Sequence, residues 1–235
     1  MNTFKIDSSK EFYSETADHY EKIRSKQYLY NKTVDSIIID SVKDQIKNIL
    51  DVGAGNGKRG IYIKEKLNAS EILLLEESKE MVKNIKRTAV VDVKVESILD
   101  YHSDRKFDLI ICLWNVLGHI DDKTNRVIAL KKMKSSLSDK GVIFIDFNNR
   151  MNVKHYGFKN FIRNSIRTLF TKDSGWFNLE LHGIKTKVYV HNFSEMTELI
   201  KNAGLNIRFM KSIDYSTGEI HKSRFKGQLL FCLSN

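Results

Sequence analysis

The chain of 235 residues contains no proline and only two cysteines, Cys112 and Cys232. Each cysteine lies in an apolar run typical of a buried strand, so we expect reduced core residues, which suits a cytoplasmic protein. No apolar run approaches the roughly 18 residues that a membrane-spanning helix requires, so we expect no membrane partner. Residues 1–7 lack an apolar segment, and we therefore expect no signal peptide.

Positive charge is in excess, since 39 Lys and Arg stand against 29 Asp and Glu and the formal net charge is +10. This excess is compatible with a polyanionic partner such as RNA. The basic residues are scattered, however, and the chain is rich in Lys, Ile and Asn, so composition alone also explains the charge. Carboxylates and histidines show no convincing metal-ligand spacing, and we expect no metal site.

The order of the predicted elements indicates an α/β fold. Helices are predicted over residues 8–23 and 28–45, before the first strand. Five strands that alternate with helices are then predicted, over residues 47–52, 71–76, 90–95, 107–113 and 142–147. Such alternation gives right-handed βαβ units, hence a parallel sheet with helices on both faces.

The pattern changes after the fifth strand. Residues 148–190 are basic and aromatic without a clear period, and we interpret them as an insertion over the strand ends. Two strands, 205–213 and 225–233, follow a helix over 194–203. The gap between them is too short for a helical crossover, so we expect an antiparallel hairpin. The sequence thus predicts a single domain over residues 1–235 with a seven-stranded, mostly parallel sheet.

The most informative stretch is Asp51-Val52-Gly53-Ala54-Gly55-Asn56-Gly57-Lys58-Arg59-Gly60, where a strand ends in an acid and a glycine-rich turn leads into a helix. Such a turn needs glycine for positive φ angles and for close approach of a ligand to the backbone. Residues 55–60 fit the G-x-G-x-x-G fingerprint, which binds a dinucleotide pyrophosphate. The carboxylate of Asp51 would repel a pyrophosphate but suits an ammonium group.

Asp51, Gly53, Gly55 and Gly57 resemble motif I of the class I S-adenosylmethionine (SAM) methyltransferases, D/E-x-G-x-G-x-G. The terminal hairpin strengthens the resemblance, because a nicotinamide dehydrogenase would be expected to finish with another helical crossover. The similarity covers roughly residues 11–233 and implies a Rossmann-like fold, SAM as cofactor and S-adenosylhomocysteine as product. An NAD enzyme is the alternative on cofactor.

The resemblance implies a cofactor site at the carboxyl ends of the strands, where open α/β sheets bind ligands. Asp51 would meet the methionine ammonium of SAM. An acid after strand 2 would accept both ribose hydroxyls, and the positions of Ser78 and Met81 select Glu76 over Glu77 for this contact.

Further cofactor contacts follow from the same resemblance. They are Gly53, Ala54, Gly55, Gly57, Met81, Ser97, Ile98, Leu113 and Asn115. Ser97 departs from the family pattern, which often has an acid there that reaches the adenine amine, and Glu96 is the alternative acid.

The N-terminal helices, residues 1–45, resemble the lid of small-molecule methyltransferases, in which a Tyr closes over the methyl group. Tyr20 is the first candidate, as a catalytic residue, and Tyr13 the second, as a substrate contact. Arg24 could reach the cofactor carboxylate. Ordinary helix packing is the alternative for the two tyrosines, and a solvated side chain is the alternative for Arg24.

Other candidates lie on the acceptor side. His119 is the best-placed potential base. The run Asp146-Phe147-Asn148-Asn149-Arg150 resembles the acceptor pocket of small-molecule N- and O-methyltransferases. We assign Asn149 to catalysis and Asp146 and Arg150 to substrate binding, with a strand-end cap as the alternative for Asp146.

The absence of proline excludes two classes of methyltransferase and thereby narrows the acceptor. Amino-methyltransferases of nucleic-acid bases with an (N/D/S)-P-P-(Y/F/W) motif need proline, and neither cysteine has the Pro-Cys setting of cytosine-C5 enzymes. Basic residues interleaved with aromatics in the insertion could hold RNA or clamp an anionic metabolite. We predict methyl transfer by SN2 displacement to an amine or hydroxyl of a small, including an anionic, metabolite. An RNA methyltransferase and a non-catalytic SAM-binding subunit are the alternatives.

Overall fold

A computed structural model describes residues 8–19, 27–42, 46–83, 85, 88, 90–171, 174–181 and 184–235. The predictions for Tyr20 and Arg24 lie outside the described residues. Among the helices of the described ranges, none is long and apolar enough to cross a membrane.

The described helices follow the predicted order. They are α1 (Ser9–Thr16), α2 (Tyr28–Ser41), α3 (Lys58–Leu67), α4 (Lys79–Val82), α5 (Lys123–Ser135), α6 (Val153–Tyr156), α7 (Phe158–Phe170) and α8 (Phe193–Asn202). Short 3₁₀ turns cover Ala17–His19 and Val116–His119. Side-chain caps begin several helices as expected from sequence, for example Ser78, which accepts a hydrogen bond from the Met81 N–H at the start of α4.

The described strands are ten. They are β1 (Asn48–Val52), β2 (Glu71–Glu76), β3 (Val91–Val95), β4 (Phe107–Cys112), β5 (Leu137–Phe147), β6 (Trp176–Leu181), β7 (Ile184–Tyr189), β8 (Asn206–Ile213), β9 (Ile220–His221) and β10 (Gln228–Ser234). The predicted bounds of the first four agree with the structure to within one residue.

Eight strands form one sheet in the order β3-β2-β1-β4-β5-β10-β8-β9. Strands β1 to β5 pair in parallel, and β10 runs antiparallel to β5 and β8. This confirms the mostly parallel sheet and the antiparallel C-terminal pair. The prediction of seven strands was one short, because residues 220–221 fold back onto β8 and add the edge strand β9.

Apolar residues of β2 show why the sheet is covered on both faces. Leu73 and Leu75 belong to the core that packs against α5 and α8. Ile72 and Leu74 belong to the opposite core, which packs against α2 and α3. A strand buried on both faces has a continuous apolar run, as predicted here. Both cysteines are buried and free, in agreement with the sequence.

Strand β5 begins five residues earlier than predicted. Phe107 pairs with Leu137 and Leu109 with Val142, so the register of β5 shifts by several residues within the predicted turn, residues 139–141. The added length of β5 therefore comes from an irregular extension along β4 that a local turn signal does not reveal.

Residues 148–190, predicted as an insertion, contain α6, α7 and a separate antiparallel hairpin of β6 and β7. The side chain of Arg150 is fully buried where this segment begins. Its guanidinium pairs with both carboxylate oxygens of Glu195 at 2.5 Å and donates to the Val190 carbonyl at 3.0 Å. It also donates to Ser174 and Thr168. One buried cation therefore ties α7, the hairpin and α8 together.

Removal of the charge from Glu195 leaves that cation without its partner. We expect Glu195→Gln to lower the free energy of unfolding by about 2–4 kcal/mol, because an unpaired buried charge is costly. Glutamine still suits the capping position that Glu195 occupies in α8. Urea denaturation of the purified variant measures the effect.

Glu198→Gln is the matched control on the same helix. Glu198 pairs with Lys123 where both side chains are about half exposed, and its loss should cost less than about 1 kcal/mol. Equal losses for the two variants would contradict the structural role assigned to the Arg150–Glu195 pair.

Candidate active site

A cleft of about 110 Å³ lies over the carboxyl ends of β1, β2 and β4. The strand order reverses between β1 and β4, which is where ligands bind in open α/β sheets. Of the residues predicted from sequence, its walls include Tyr13, Gly53, Gly55, Glu76, Met81, Ile98, Leu113 and His119. The fold thus brings together residues from positions 13 to 119 at one edge of the sheet.

The glycine-rich turn forms the floor of this cleft. Gly53 and Gly55 have φ angles of +69° and +57°, which side chains other than glycine rarely adopt. A Cβ atom on Gly53 would lie 2.6 Å from the Val116 side chain. The N–H groups of Gly53 and Ala54 both donate to the Leu75 carbonyl, at 2.8 and 3.1 Å. The turn is thereby held against β2, and the Val116 side chain packs where a Cβ of Gly53 would lie.

Glu76 joins the two loops that border the cleft. Its carboxylate accepts hydrogen bonds from the Gly55 N–H at 2.9 Å and the Ser78 N–H at 3.0 Å. Burial raises the pKa of Glu76, and these two donors act against that rise. The next residue, Glu77, also borders the cleft but is exposed. The structure therefore places Glu76 where sequence reasoning expected a carboxylate.

A second, smaller cleft adjoins the first, and the two share Gly53, Leu113 and Trp114. Asp51 lies on its wall, is buried and accepts no hydrogen bond from the described residues. Burial raises the pKa of Asp51 to about 7, although Arg59 nearby lowers it. A buried carboxylate without hydrogen-bond donors is well suited to an incoming cation.

Arg59 and Asn31 on the same cleft were missed by sequence reasoning. The Arg59 Nε donates to Asp35 at 2.6 Å, whereas its buried Nη2 has no partner among the described residues. The buried Oδ1 of Asn31 likewise has none there. A usable signal was present, since Arg59 shares a helical face with buried Ile63 and Asn31 precedes buried Asp35 by one turn.

His119 and Tyr13 face each other across the mouth of the larger cleft. The Tyr13 hydroxyl lies 3.0 Å from His119 Nε2, and the Ser9 hydroxyl lies 3.0 Å from Nδ1. Desolvation lowers the pKa of His119 to about 4, so its imidazole is neutral at neutral pH. Helix α1 therefore covers the cleft through contacts to a neutral histidine. Tyr13, the second of the two predicted tyrosines, borders the cleft.

Asp146 is buried and lies outside the walls of both clefts, although it was assigned to substrate binding. Its carboxylate accepts hydrogen bonds from the backbone N–H groups of Trp114 and Asn115 and from the Tyr30 hydroxyl. Trp114 and Asn115 have φ angles of +71° and +59°. Asp146 thus holds the loop after β4 in an unusual conformation, the strand-end role that was its alternative.

Arg150 and Asn149 also lie outside both clefts. The guanidinium of Arg150 is already paired with Glu195, so the predicted contact with an anionic acceptor has no support in the geometry. Asn149 donates to the carbonyls of Arg224 and Gly227, so its amide is engaged by the segment that precedes β10. Both residues were misplaced because sequence does not reveal which strand-end residues turn away from the cleft.

Three predicted cofactor contacts, Asn115, Ser97 and Gly57, border neither cleft. Asn115 is buried, with its amide between the Tyr189 carbonyl and the Asn148 N–H. Ser97 accepts from the Leu99 N–H, and Glu96 borders the cleft instead, so the alternative acid is the better placed of the two. Gly57 precedes α3 in a left-handed conformation and does not border either cleft. Ala54 borders the smaller cleft.

Comparison with known proteins agrees with this geometry. Residues 49–141 match the family model described as a methyltransferase domain. The Probable (S)-tetrahydroprotoberberine N-methyltransferase 2 of Papaver bracteatum is 27% identical over 121 residues, which cover 48% of this chain and 33% of that protein. The chain spans about a third of the length of the curated relatives it matches.

Solved structures share the fold over nearly the whole chain. An S-adenosylmethionine-dependent methyltransferase from Clostridium acetobutylicum has a TM-score of 0.62 at 16% identity, over 94% of this chain and 98% of its own. The DhpI-SAM-HEP complex has a TM-score of 0.67 at 16% identity, over 96% and 95%. Over residues 49–141 the chain is similar to a methyltransferase domain, and it shares its fold with S-adenosylmethionine-dependent methyltransferases. Among the described residues, no group of three or more His, Cys, Asp and Glu could hold a metal ion.

The pKa of His119 is open to direct measurement. We expect its imidazole to titrate near pH 4 in the folded protein and near 6.5 in the urea-unfolded chain. The unfolded state then binds more protons between these pH values, so His119 lowers the stability of the fold as the pH falls from 6.5 to 4. NMR titration, with the His119 signal identified by its absence in His119→Gln, measures both values. A folded-state midpoint near 6.5 would show that His119 is not desolvated.

Proposed function

We propose that this protein transfers the methyl group of SAM to an amine of a small metabolite. The observation that supports this most is the pair of adjoining clefts, one bordered by Glu76 and the other by Asp51 and Arg59. SAM also has two chemically distinct ends, a nucleoside with neighbouring hydroxyls and a zwitterionic amino acid. The wall shared by the clefts would lie beside the sulfonium that joins those ends.

Residues of the larger cleft fit the nucleoside. Glu76 has carboxylate oxygens that are only partly used by backbone donors, so it can also accept the ribose hydroxyls. Met81 and Ile98 offer apolar surface for the adenine. Glu96, rather than Ser97, would accept a hydrogen bond from the adenine amine. Gly53 and Gly55 border this cleft without a side chain, so the cofactor would lie against the backbone of the turn.

Residues of the smaller cleft fit the amino-acid end. Asp51 would pair with the α-ammonium, which would favour the charged carboxylate and so lower the raised pKa of Asp51. The unpaired Nη2 of Arg59 would donate to the α-carboxylate, and the unpaired Oδ1 of Asn31 would accept from the ammonium. These orphaned buried polar atoms would thereby gain partners, which is a reason to prefer SAM over a nicotinamide cofactor.

Bound SAM supplies an electrophilic methyl group on a sulfonium, and the protein positions the nucleophile and excludes water. His119, with a pKa near 4, is too weak a base to ionise an aliphatic hydroxyl at neutral pH. An amine needs only to arrive neutral, so its methylation requires no base. Both ring nitrogens of His119 lie 3.0 Å from the Ser9 and Tyr13 hydroxyls, so His119 would instead hold α1 over the site. Tyr13 would lie beside the methyl group, and Tyr20 stays a prediction.

Two further observations support a small amine as the acceptor. The relative from Papaver bracteatum carries the name of an N-methyltransferase, and it covers 48% of this chain. Arg150 and Lys154, two basic residues of the insertion, are paired with Glu195 and Asp214 and are less available to bind a polyanion. We place the enzyme in the cytoplasm, in keeping with its free, buried cysteines.

Two ligands that differ only in the amino-acid end can test the two clefts separately. S-adenosylhomocysteine has this end and 5′-methylthioadenosine lacks it. We expect Asp51→Asn to weaken S-adenosylhomocysteine binding about tenfold or more and to leave 5′-methylthioadenosine binding within about twofold, since charge-assisted contacts are worth about 1.5–3 kcal/mol. Glu76→Gln should weaken both ligands by similar factors, because both contain the ribose. Isothermal titration calorimetry measures the dissociation constants.

Glu71→Gln is the control for this experiment, because Glu71 lies at the opposite end of β2 and pairs with Arg105 at 2.8 Å. It should change neither affinity. The cofactor placement would be wrong if Asp51→Asn weakened both ligands equally or if Glu76→Gln weakened neither.

Methyl transfer itself is tested with labelled SAM and a cell extract separated into low-molecular-weight, RNA and protein fractions. We expect label in the low-molecular-weight fraction, in products whose new methyl group resists mild alkaline hydrolysis, as an N-methyl group does and a methyl ester does not. Label in RNA would replace the proposed acceptor with a nucleic acid. Cofactor binding without label in any fraction would favour the SAM-binding subunit.

A further inference from the structure

Helix α7 presents its apolar residues to solvent. Leu169 and Phe170 are 78% and 83% exposed, and three further apolar residues share this exposure: Phe158, Ile162 and Ile166. Their spacing of three or four residues puts Phe158, Ile162, Ile166 and Leu169 in one row along the helix. Scattered exposed apolar residues need no explanation, but a continuous row of this kind marks an interaction surface.

The inward face of α7 is polar, so the helix cannot turn its apolar row toward the protein without loss. Asn164 is buried and donates to the Arg150 carbonyl at 2.9 Å. The Thr168 hydroxyl accepts from the Arg150 guanidinium at 3.2 Å. These contacts fix the rotation of the helix about its axis. The exposure of the apolar row is therefore built into the fold.

A basic row runs beside the apolar row. Lys159, Arg163 and Arg167 follow one another at intervals of four residues, and on a helix they flank Ile162 and Ile166. Lys159 and Arg163 are exposed and form no ion pair with any described residue. Arg167 lies over the Phe177 ring, 5.5 Å from its centroid. At a rise of about 1.5 Å per residue, the outer surface of α7 thus combines an apolar strip about 17 Å long with a cationic strip about 12 Å long.

We propose that α7 docks on the surface of an anionic lipid bilayer. In this arrangement the apolar row enters the boundary between headgroups and acyl chains, and the basic side chains reach the lipid phosphates. The site is a surface contact and not a membrane span, for which no described helix is long and apolar enough. The proposal departs from the sequence-based expectation of no membrane partner. It also goes beyond the proposed methyl transfer, because none of the residues of α7 borders the two clefts.

The charge of α7 favours an anionic bilayer over a second copy of the chain or an RNA. A second copy of the chain would bring two basic rows together, and the whole chain already has a net charge of +10. RNA would satisfy the basic row but would leave the apolar row in water. An anionic bilayer complements both rows at once, because its surface is negative and its interior apolar.

Co-sedimentation of the full chain with vesicles tests the proposal. Vesicles of phosphatidylcholine alone are compared with vesicles of equal parts phosphatidylcholine and phosphatidylglycerol, at low and at high salt. We expect binding to the anionic vesicles only, weakened by salt. Leu169→Asp should reduce the partition coefficient at least about tenfold, and Arg163→Glu at least about fivefold.

Two matched substitutions serve as controls. Leu29→Asp places the same change on an exposed leucine of α2, and Lys131→Glu places a charge reversal on an exposed residue of α5. Both should bind vesicles as the natural sequence does. Affinity for S-adenosylhomocysteine, measured on all four variants, shows that each is folded whether or not it binds vesicles.

Three outcomes would overturn the proposal. The natural sequence could fail to sediment with anionic vesicles, or Leu169→Asp could bind as well as Leu29→Asp. The third is a dimer, seen by light scattering, that Leu169→Asp dissociates while vesicle binding is absent, which would identify a second copy as the occupant. None of these outcomes bears on methyl transfer, so the two proposals stand or fall separately.

Discussion

The buried carboxylate of Asp146 is the contact around which the site is arranged. It receives the N–H groups of Trp114 and Asn115, the Tyr30 hydroxyl and, at 4.0 Å, the guanidinium of Arg59. A carboxylate so deeply buried is tolerated only when hydrogen bonds and a counter-charge compensate its desolvation. These partners come from α2, α3 and the loop after β4. Trp114, one of the residues shared by the two clefts, is therefore held in place by an acid near the end of β5.

Electrostatics divides the site into two parts. On one side Glu76 is oriented by backbone donors, so its remaining oxygen surface is directed at the larger cleft. On the other side Asp51 and Arg59 lie near one another while each keeps a polar group without a hydrogen-bond partner among the described residues. Buried groups of this kind are costly in the free protein, and a zwitterionic ligand would reverse that cost. Gly53, which borders both clefts, adds no side chain to the wall that they share.

In the insertion, polar side chains of α7 face inward and apolar side chains face solvent, the reverse of the core. Its central cation, Arg150, is satisfied internally by Glu195 and by polar groups of α7 and the hairpin. Because Asn164 and Thr168 must face this cation, the apolar residues of α7 face outward. A residue that sequence reasoning assigned to the acceptor thus determines the surface chemistry on the far side of the segment.

The sequence by itself determined the alternation of strands and helices, the glycine turn, Glu76 and the antiparallel end of the sheet, since these depend on hydrophobic period, φ preferences and connection length, which are local. Tertiary structure decided which polar residues border the clefts. Asp146, Asn149 and Arg150 end one strand, yet all three turn to internal partners, and Arg59 and Asn31 enter the site from helical faces that read as core. Burial and pairing depend on elements far apart in the chain, so helical spacing can mark Arg59 and Asn31 as inward-facing but cannot show that they reach a cleft.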